Sequence, residues 1–556
     1  MRVSLRLILI ALSAMLLFPI LLFIYTVEAH RSIVLPIPEP ERSYGVICDA
    51  GSTGTRVFVY SWISSSDAEL IQIDPVVDMH NKPVMRKISP GLSTFGTKPD
   101  EAAEYIRPLM ELAEGHIPED KIPFTPVFIF ATAGMRLIPD DQKEAVLNNL
   151  RTKLPLLTSM QVLKEHIRII EGKWEGIYSW IAVNYALGKF NRTNPENVDF
   201  PGTLPSKSRR KTVGMIDMGG ASMQIAFELD QTEQFNSINV ENINLGCRED
   251  DSLFKYKLFV TTFLGYGVNE GIRKYEHSLK AKLMEQNGTV LQDDCMPLNL
   301  HKTVKLETGE NFVRRGTGNW DSCLNTVKNL LNPETKSEMC LRPEFTKCFF
   351  GAVPAPNILL SNMEMYGFSE YWYSTHDVLG LGGHYNASMV AKKSQQYCSQ
   401  RWSTIQASAK KQLYPRADEE RLKTQCFKSA WISSVLHEGF AIDKQNNNFQ
   451  SVSTIAGQEV QWALGAMIYH MRFFPLRDST RNLIVKETHS TADSLYGPLF
   501  FLCAVFSLFA LVCAKENQLF CFNDKKWASF GGSKNSYAYK MLKENRTSSS
   551  FLESFA

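Results

Sequence analysis

Two acidic residues hold matching places in a repeated pattern. Asp49 closes an apolar run just before the turn Gly-Ser-Thr-Gly at 51–54, and Asp217 does so before Gly-Gly-Ala-Ser at 219–222. A turn whose backbone N–H groups point inward cradles phosphate, and glycine lets the backbone come close. The hydroxyls of Ser52, Thr53 and Ser222 add donors. Two carboxylates beside phosphates suit Mg2+ or Ca2+, which keeps part of its water shell and bridges to phosphate oxygens. Between the two copies lies Glu175, in the first turn of a predicted helix, where the helix dipole favours the ionised form. An ionised carboxylate near a phosphate orients and deprotonates water. The expected chemistry is hydrolysis at phosphorus, not transfer to a bulky acceptor. No Walker A string, H-E-x-x-H or G-x-S-x-G is present, so P-loop, zincin and serine-hydrolase chemistry find no support. The 11 histidines form no metal-spaced cluster, which argues against zinc.

The elements that must position these groups follow from the apolar pattern. YGVICDAGSTGTRVFVY (44–60) and TVGMIDMGGASMQIAFE (212–228) each read as a β-hairpin around a small-residue turn, since the runs are too short for helices. Two hairpins of one design predict two related lobes facing a shared cleft. PVFIFATAGMR (126–136) reads as an apolar strand passing into a loop. In IRIIEGKWEGIYSWIAVNYAL (167–187), a short strand precedes a helix marked by Trp174, Ile177, Tyr178, Ile181 and Tyr185. The stretch 190–210 is polar and basic and reads as a surface loop. Residues 454–469, TIAGQEVQWALGAMIY, read as a late helix, and Gly380-Leu-Gly-Gly-His384 as an ordinary loop.

Five segments in order carry a resemblance: DAGSTGTR (49–56), ATAGMR (131–136), WEGIYSWIAVNY (174–185), DMGGASMQIAFE (217–228) and QEVQWALG (458–465). Together they resemble the conserved regions of the ecto-nucleoside triphosphate diphosphohydrolase family, the apyrases, over roughly 44–475. The resemblance implies an α/β fold of two RNase-H-like lobes of the actin–hexokinase superfamily around a nucleotide cleft. Lobe I would take 43–170 plus 455–475, and lobe II 171–454. By position, Glu175 would activate the attacking water, and Asp49 and Asp217 would hold a hydrated Ca2+ or Mg2+. Thr132, Gln224 and Trp462 would support its water shell, Thr132 and Gln224 on the nucleotide-binding side. Ser52, Thr53 and Gly54 would bind the terminal phosphate, and Gly219, Gly220, Ala221 and Ser222 its neighbour. Arg56 and Arg136 come with the motifs.

The two-span layout and basic loop look most like the family's intracellular branch, in Golgi or lysosomal-type membranes, which prefers nucleoside diphosphates such as UDP and GDP. Such an enzyme would clear the product of lumenal glycosyltransferases. The alternatives are a broad tri- and diphosphate apyrase at the cell surface, and a nucleotide-binding scaffold without catalysis, which the intact Glu175 opposes. TFLGYG (262–267) resembles a family segment with Cys where Gly265 stands, so one familiar disulfide is absent. Tyr366, Phe368, Tyr371, Trp372 and Tyr373 are either base-gripping or core.

Bulk properties set the compartment. With 556 residues, 44% apolar, and a net charge of +2, the chain supports a large core and shows no footprint for nucleic acid. The runs 7–25 and 497–514 carry no charge, and each approaches the roughly 20 residues of a membrane-spanning helix. Arg2, Arg6, Lys515, Lys525 and Lys526 lie outside them, which puts both termini in the cytosol. The expected layout is a cytosolic 1–6, spans at 7–27 and 497–514, a lumenal stalk at 476–496 and a cytosolic tail at 515–556. A cleaved signal peptide ending at Val27-Glu28-Ala29 is the rival, although the apolar run exceeds the usual core. A lumenal middle predicts sequons and disulfides. Asn191, Asn287 and Asn386 open such sequons, while that of Asn545 lies in the tail. Candidate pairs are Cys295–Cys323, Cys340–Cys348 and Cys398–Cys426, with Cys48 a buried thiol and Cys247 left over. Connectivity does not follow from sequence, and a homo-oligomer through Cys247 or paired spans stays open.

Overall fold

Strands apolar at successive positions need cover on both faces, and this chain supplies it twice. The computed structural model describes residues 41–473, with breaks at 64–68, 192–208, 249–251, 287–289, 306–310 and 332–336 and at several single positions, and residue 505 beyond them. The first predicted span, the second except for Val505, the stalk, the tail, Asn287 and most of the basic loop lie outside the described residues. Among the described residues no helix is long and apolar enough to cross a membrane.

The first sheet comprises β1 (Arg42–Ala50), β2 (Thr55–Ile63), β3 (Ile73–Pro75), β4 (Met85–Ile88), β5 (Pro126–Ala131) and β6 (Gln161–Ile169). Its order is β3-β2-β1-β5-β6, with β4 also on β2. The β1–β2 hairpin is antiparallel, and β5 and β6 add in parallel. The second sheet holds β7 (Gly214–Met218), β8 (Ser222–Glu228), β9 (Val240–Asn244), β10 (Lys255–Leu264), β11 (Met365–Ser369), β12 (Gly383–His384) and β13 (Phe449–Ser451). Its order is β12-β13-β11-β7-β8-β10-β9. The antiparallel hairpin β7–β8, extended by β10, again meets two parallel strands, β11 and β13. The repeat visible in the two hairpins therefore extends to five strands of each sheet.

Alternation sorts the side chains. On the first sheet Val46, Cys48, Val57, Val127 and Ile129 face α1 (Ala102–Glu114) and α2 (Asp140–Lys153). Ile47, Phe58, Trp62, Phe128 and Phe130 face the opposite way, into a core shared with Ala226, Leu258 and Val260 of the second sheet. Between the sheets lie two helices, α3 (Gly172–Ala186) and α5 (Trp462–Met471). α3 is apolar nearly all round, as a helix buried on every side must be: Ile177, Tyr178, Trp180, Ile181 and Val183 are fully buried. Each such side chain stabilises the fold by about 1.5–3 kcal/mol relative to exposure. The helices meet at Gly465, where an added Cβ would overlap the carbonyl oxygen of Tyr178. On its outer face the second sheet is covered by helices including α4 (Glu419–Ser434).

One expectation changes, and one open alternative is decided for three residues. The late helix starts at Trp462, not at residue 454. Residues 454–459 form a small hairpin whose turn residues Ala456 and Gly457 have φ of 51° and 79°, a left-handed backbone that a helix cannot contain. Of the candidate base-gripping aromatics, Tyr366, Phe368 and Tyr371 are buried core. Trp372 stacks on His376 at 3.9 Å, and Tyr373 lines the cleft. The disulfides present are Cys295–Cys323, Cys340–Cys348 and Cys398–Cys426, while Cys48 and Cys247 are buried thiols.

Candidate active site

Each hairpin places its aspartate one residue before the strand ends. Asp49 sits opposite Arg56, and Asp217 opposite Gln224. The turns close identically, Gly51 N–H to Gly54 O and Gly219 N–H to Ser222 O, both at 3.0 Å. They also face each other: a Cβ on Gly220 would stand 2.9 Å from Ser52 Oγ and 2.7 Å from the Asn269 side chain. Only a glycine leaves that gap open. The cleft between them has a volume of about 240 Å3.

The cleft brings most of the sequence-derived residues together. Asp49, Ser52, Thr53, Gly54 and Arg56 line it from the first hairpin, and Asp217, Gly219, Gly220, Ala221 and Ser222 from the second. Thr132, Glu175 and Trp462 complete the wall. Thr132 N–H donates to Ala50 O at 3.1 Å and leads into the helical turn Ala133–Arg136. Trp462 is the first residue of α5, wedged by Phe130 and Tyr178 with ring centroids at 6.5 and 6.3 Å. Gln224 and Arg136 stand behind the wall. Arg136 Nη2 donates to Glu175 Oε2 at 2.6 Å, and Gln224 Nε2 donates to the same oxygen at 3.3 Å. Gln224 Nε2 also donates to Ser222 Oγ at 2.8 Å. Gln224 thus ties the second glycine-rich turn to Glu175.

Burial sets the protonation. Glu175 is raised to about 8, first by desolvation; Arg136 opposes that rise, and Asp217 and Asp49 add to it. The dipole argument for a readily ionised Glu175 therefore loses to burial, because the carboxylate has exchanged bulk water for a few donors. Asp49 is raised to about 6, first by burial, with Arg56 opposing at 3.5 Å and Asp217 adding to the rise. Asp217 is raised by burial too, with a hydrogen bond from Ser369 countering it. One carboxylate oxygen of Asp217, Oδ1, is buried without a protein partner. Among the described residues no cluster of three or more His, Cys, Asp or Glu is placed to hold a metal. Two carboxylates, one of them with an unpartnered buried oxygen, fit a hard cation that keeps most of its waters.

Sequence reasoning missed Ser369, Lys87, Asn269 and Arg421, all of which line the cleft. Ser369 ends β11 beside Met218, as Ala131 ends β5 beside Ala50. Its φ of 55° is strained for a non-glycine residue. Extending the repeat to the fourth strand of each sheet would have found it. Lys87 and Arg421 carry no local motif.

Two matched glycine-rich turns, their aspartates and a buried glutamate line one cleft of a duplicated α/β frame, an arrangement suited to hydrolysis at phosphorus. Residues 37–486 match the GDA1/CD39 (nucleoside phosphatase) family, and the chain belongs to it. It is an enzyme, a hydrolase of the nucleoside phosphatase class. It is 78% identical, over the full length of both chains, to the nucleoside-diphosphatase mig-23 of Caenorhabditis elegans. It is 47% identical to the nucleoside-triphosphatase ntp-1 of the same organism, over 77% of this chain and 73% of that one. In fold it resembles a nucleoside triphosphate hydrolase from Neospora caninum, with a TM-score of 0.55 and 16% identity over 81% of this chain and 97% of that one.

Proposed function

We propose that the chain is a divalent-cation-dependent nucleoside diphosphatase that converts UDP and GDP to their monophosphates in the lumen of the secretory pathway, at the Golgi membrane. The observation that carries the chemistry is Glu175, buried between the two aspartate hairpins and held by Arg136 and Gln224. In its ionised form Glu175 takes a proton from a water. The water oxygen bonds to the terminal phosphorus while the bridging anhydride bond breaks, releasing inorganic phosphate and the nucleoside monophosphate. Ser52, Thr53 and Gly54 would grip the terminal phosphate, and Gly219, Gly220, Ala221 and Ser222 the inner one, with N–H and O–H groups that offset the charge growing on the oxygens. Asp49 and Asp217 would hold hydrated Ca2+ or Mg2+, with Thr132 and Trp462 beside its waters. When bound, that ion supplies positive charge against the phosphate oxygens.

The diphosphate preference leans on the relative that matches at 78% identity end to end, whose name is that of a nucleoside diphosphatase. The fuller frame is two RNase-H-like lobes of the actin–hexokinase superfamily, 43–170 plus 455–475 and 171–454, between spans at 7–27 and 497–514. The repeated sheet order supports this frame. Exposed Asn191 and Asn386 suit lumenal glycosylation. The second substrate reading, a tri- and diphosphate apyrase, is favoured by the similarity to ntp-1. Assay of the full chain on UDP, GDP, ADP, UTP and ATP with Ca2+ or Mg2+ separates the two. Glu175→Gln is expected to lose phosphate release on every substrate. Parent-like rates in that variant would remove Glu175 as the base, and equal turnover of UTP and UDP would remove the diphosphate preference.

A further inference from the structure

The described core passes into the segments 1–40 and 474–556 at one end of the first sheet. β1 starts at Arg42 and runs toward Asp49, so its start lies away from the cleft. At about 3.3 Å per residue that separation is roughly 23 Å. α5 runs back in the opposite direction. Trp462 lines the cleft, Met467 lies against Gly45, and His470 stacks on Phe128 at 5.3 Å. Entry and exit therefore share the base of the sheet, opposite the catalytic groups.

That base is unusually apolar for an exposed edge. Phe124 and Leu156 are 73% and 77% exposed. Phe124 leads into β5, and Leu156 lies on the connection from α2 to β6. Gln161 N–H donates to Thr125 O at 2.9 Å, which holds the two segments side by side. Exposed Leu163 continues the patch along β6, an edge strand. Lys121 pairs with Glu41 and with Asp120, and Lys153, Lys164, Glu119 and Glu165 are exposed around it, so the rim carries both signs of charge. A single exposed leucine needs no explanation, but three large apolar residues on the edge where both chain segments leave do. The segments beyond those exits contain the uncharged apolar runs 7–25 and 497–514.

We propose that this base is the membrane-facing surface of the catalytic domain. Phe124 and Leu156 enter the interfacial layer of the bilayer, the flanking lysines reach its headgroups, and the cleft faces away into the lumen. The inference rests on the two-span reading and adds a fixed orientation to it.

The test uses the full chain in phosphatidylcholine–phosphatidylserine vesicles, with a photo-crosslinking amino acid placed singly at 124, 156 or 413. Leu413, 64% exposed, lies three residues before Arg416, whose carbonyl accepts from the cleft residue Arg421, and so belongs to the cleft side of the second sheet's helices. After irradiation, mass spectrometry is expected to find lipid adducts at 124 and 156 and none at 413. Alkaline carbonate washing is run in parallel. Release of the chain by the wash would overturn the two-span reading and the inference together. Retention with no lipid adduct at 124 and 156, or with adducts to a second copy of the chain, would overturn the inference alone. Equal lipid adducts at all three positions would also overturn it.

Discussion

Arg136→Gln isolates the electrostatic control of Glu175. In the folded protein the guanidinium lies 2.6 Å from Glu175 Oε2, with both side chains largely buried. It is the main group opposing the rise that burial imposes on the carboxyl, and the value of about 8 already includes its pull. A buried opposite charge at contact lowers a carboxyl by roughly 1–3 pH units. Its removal leaves the Gln224 N–H, while the repulsion from Asp49 and Asp217 persists. The ionised fraction at neutral pH should fall by roughly ten- to a thousand-fold, because each unit is a factor of ten in protonation. The assay is kcat for UDP over a wide pH range at saturating cation, comparing parent, Arg136→Gln and Arg136→Lys. A cation bound near Asp49 and Asp217 lowers the acid limb in all three, so the difference between enzymes is the quantity read. The limb should move up by about 1–3 units in Arg136→Gln and by less in Arg136→Lys. A uniform loss of kcat with the limb unmoved would refute the reasoning and leave Arg136 acting on substrate.

Three further outcomes are expected. Gly465→Ala drives a methyl into the Tyr178 carbonyl and separates α3 from α5; such overpacking costs about 1–3 kcal/mol, and an unchanged urea midpoint would contradict the close approach. Without cation, Glu175 and Asp49 stay protonated to about 8 and about 6 in the fold, above their ordinary 4.5 and 3.8. The folded state then binds more protons than the unfolded one, so their stabilisation is full below the ordinary values and is lost as pH rises through the raised ones. Half-buried His166, His437 and His470, all shifted down, act oppositely at lower pH. Above the ordinary histidine value of about 6.5, stability in chelator should therefore fall toward pH 8; Glu175→Gln should flatten that fall, and a fall unchanged in the variant would assign it elsewhere. Finally, Ser369→Ala removes a donor to Asp217. A hydrogen bond to a charged group contributes about 1.5–3 kcal/mol, so half-activation should need roughly ten-fold more cation or beyond, at a similar melting temperature; unchanged cation dependence would leave the bond without a role in metal binding.

The chemistry of this chain is local, and local features are legible in sequence. Asp49, Asp217 and their turns need only a strand, a glycine-rich reversal and a second strand, all encoded within a few neighbouring residues. Glu175 needs one helical turn. The tertiary structure decided what depends on residues far apart. Gln224 and Arg136 proved to be partners of Glu175, held at that carboxylate by a strand of one sheet and a loop of the other. Ser369, Lys87 and Arg421 reach the cleft from strand ends and a helix whose positions only the packed sheets define. Tyr366 and Phe368 alternate with their neighbours along β11, and only the packing of the second sheet on α3 and α5 assigned those faces to the core. The protonation of Glu175 turned on the same point: a dipole can be read from one helix, but burial is a property of everything that surrounds it.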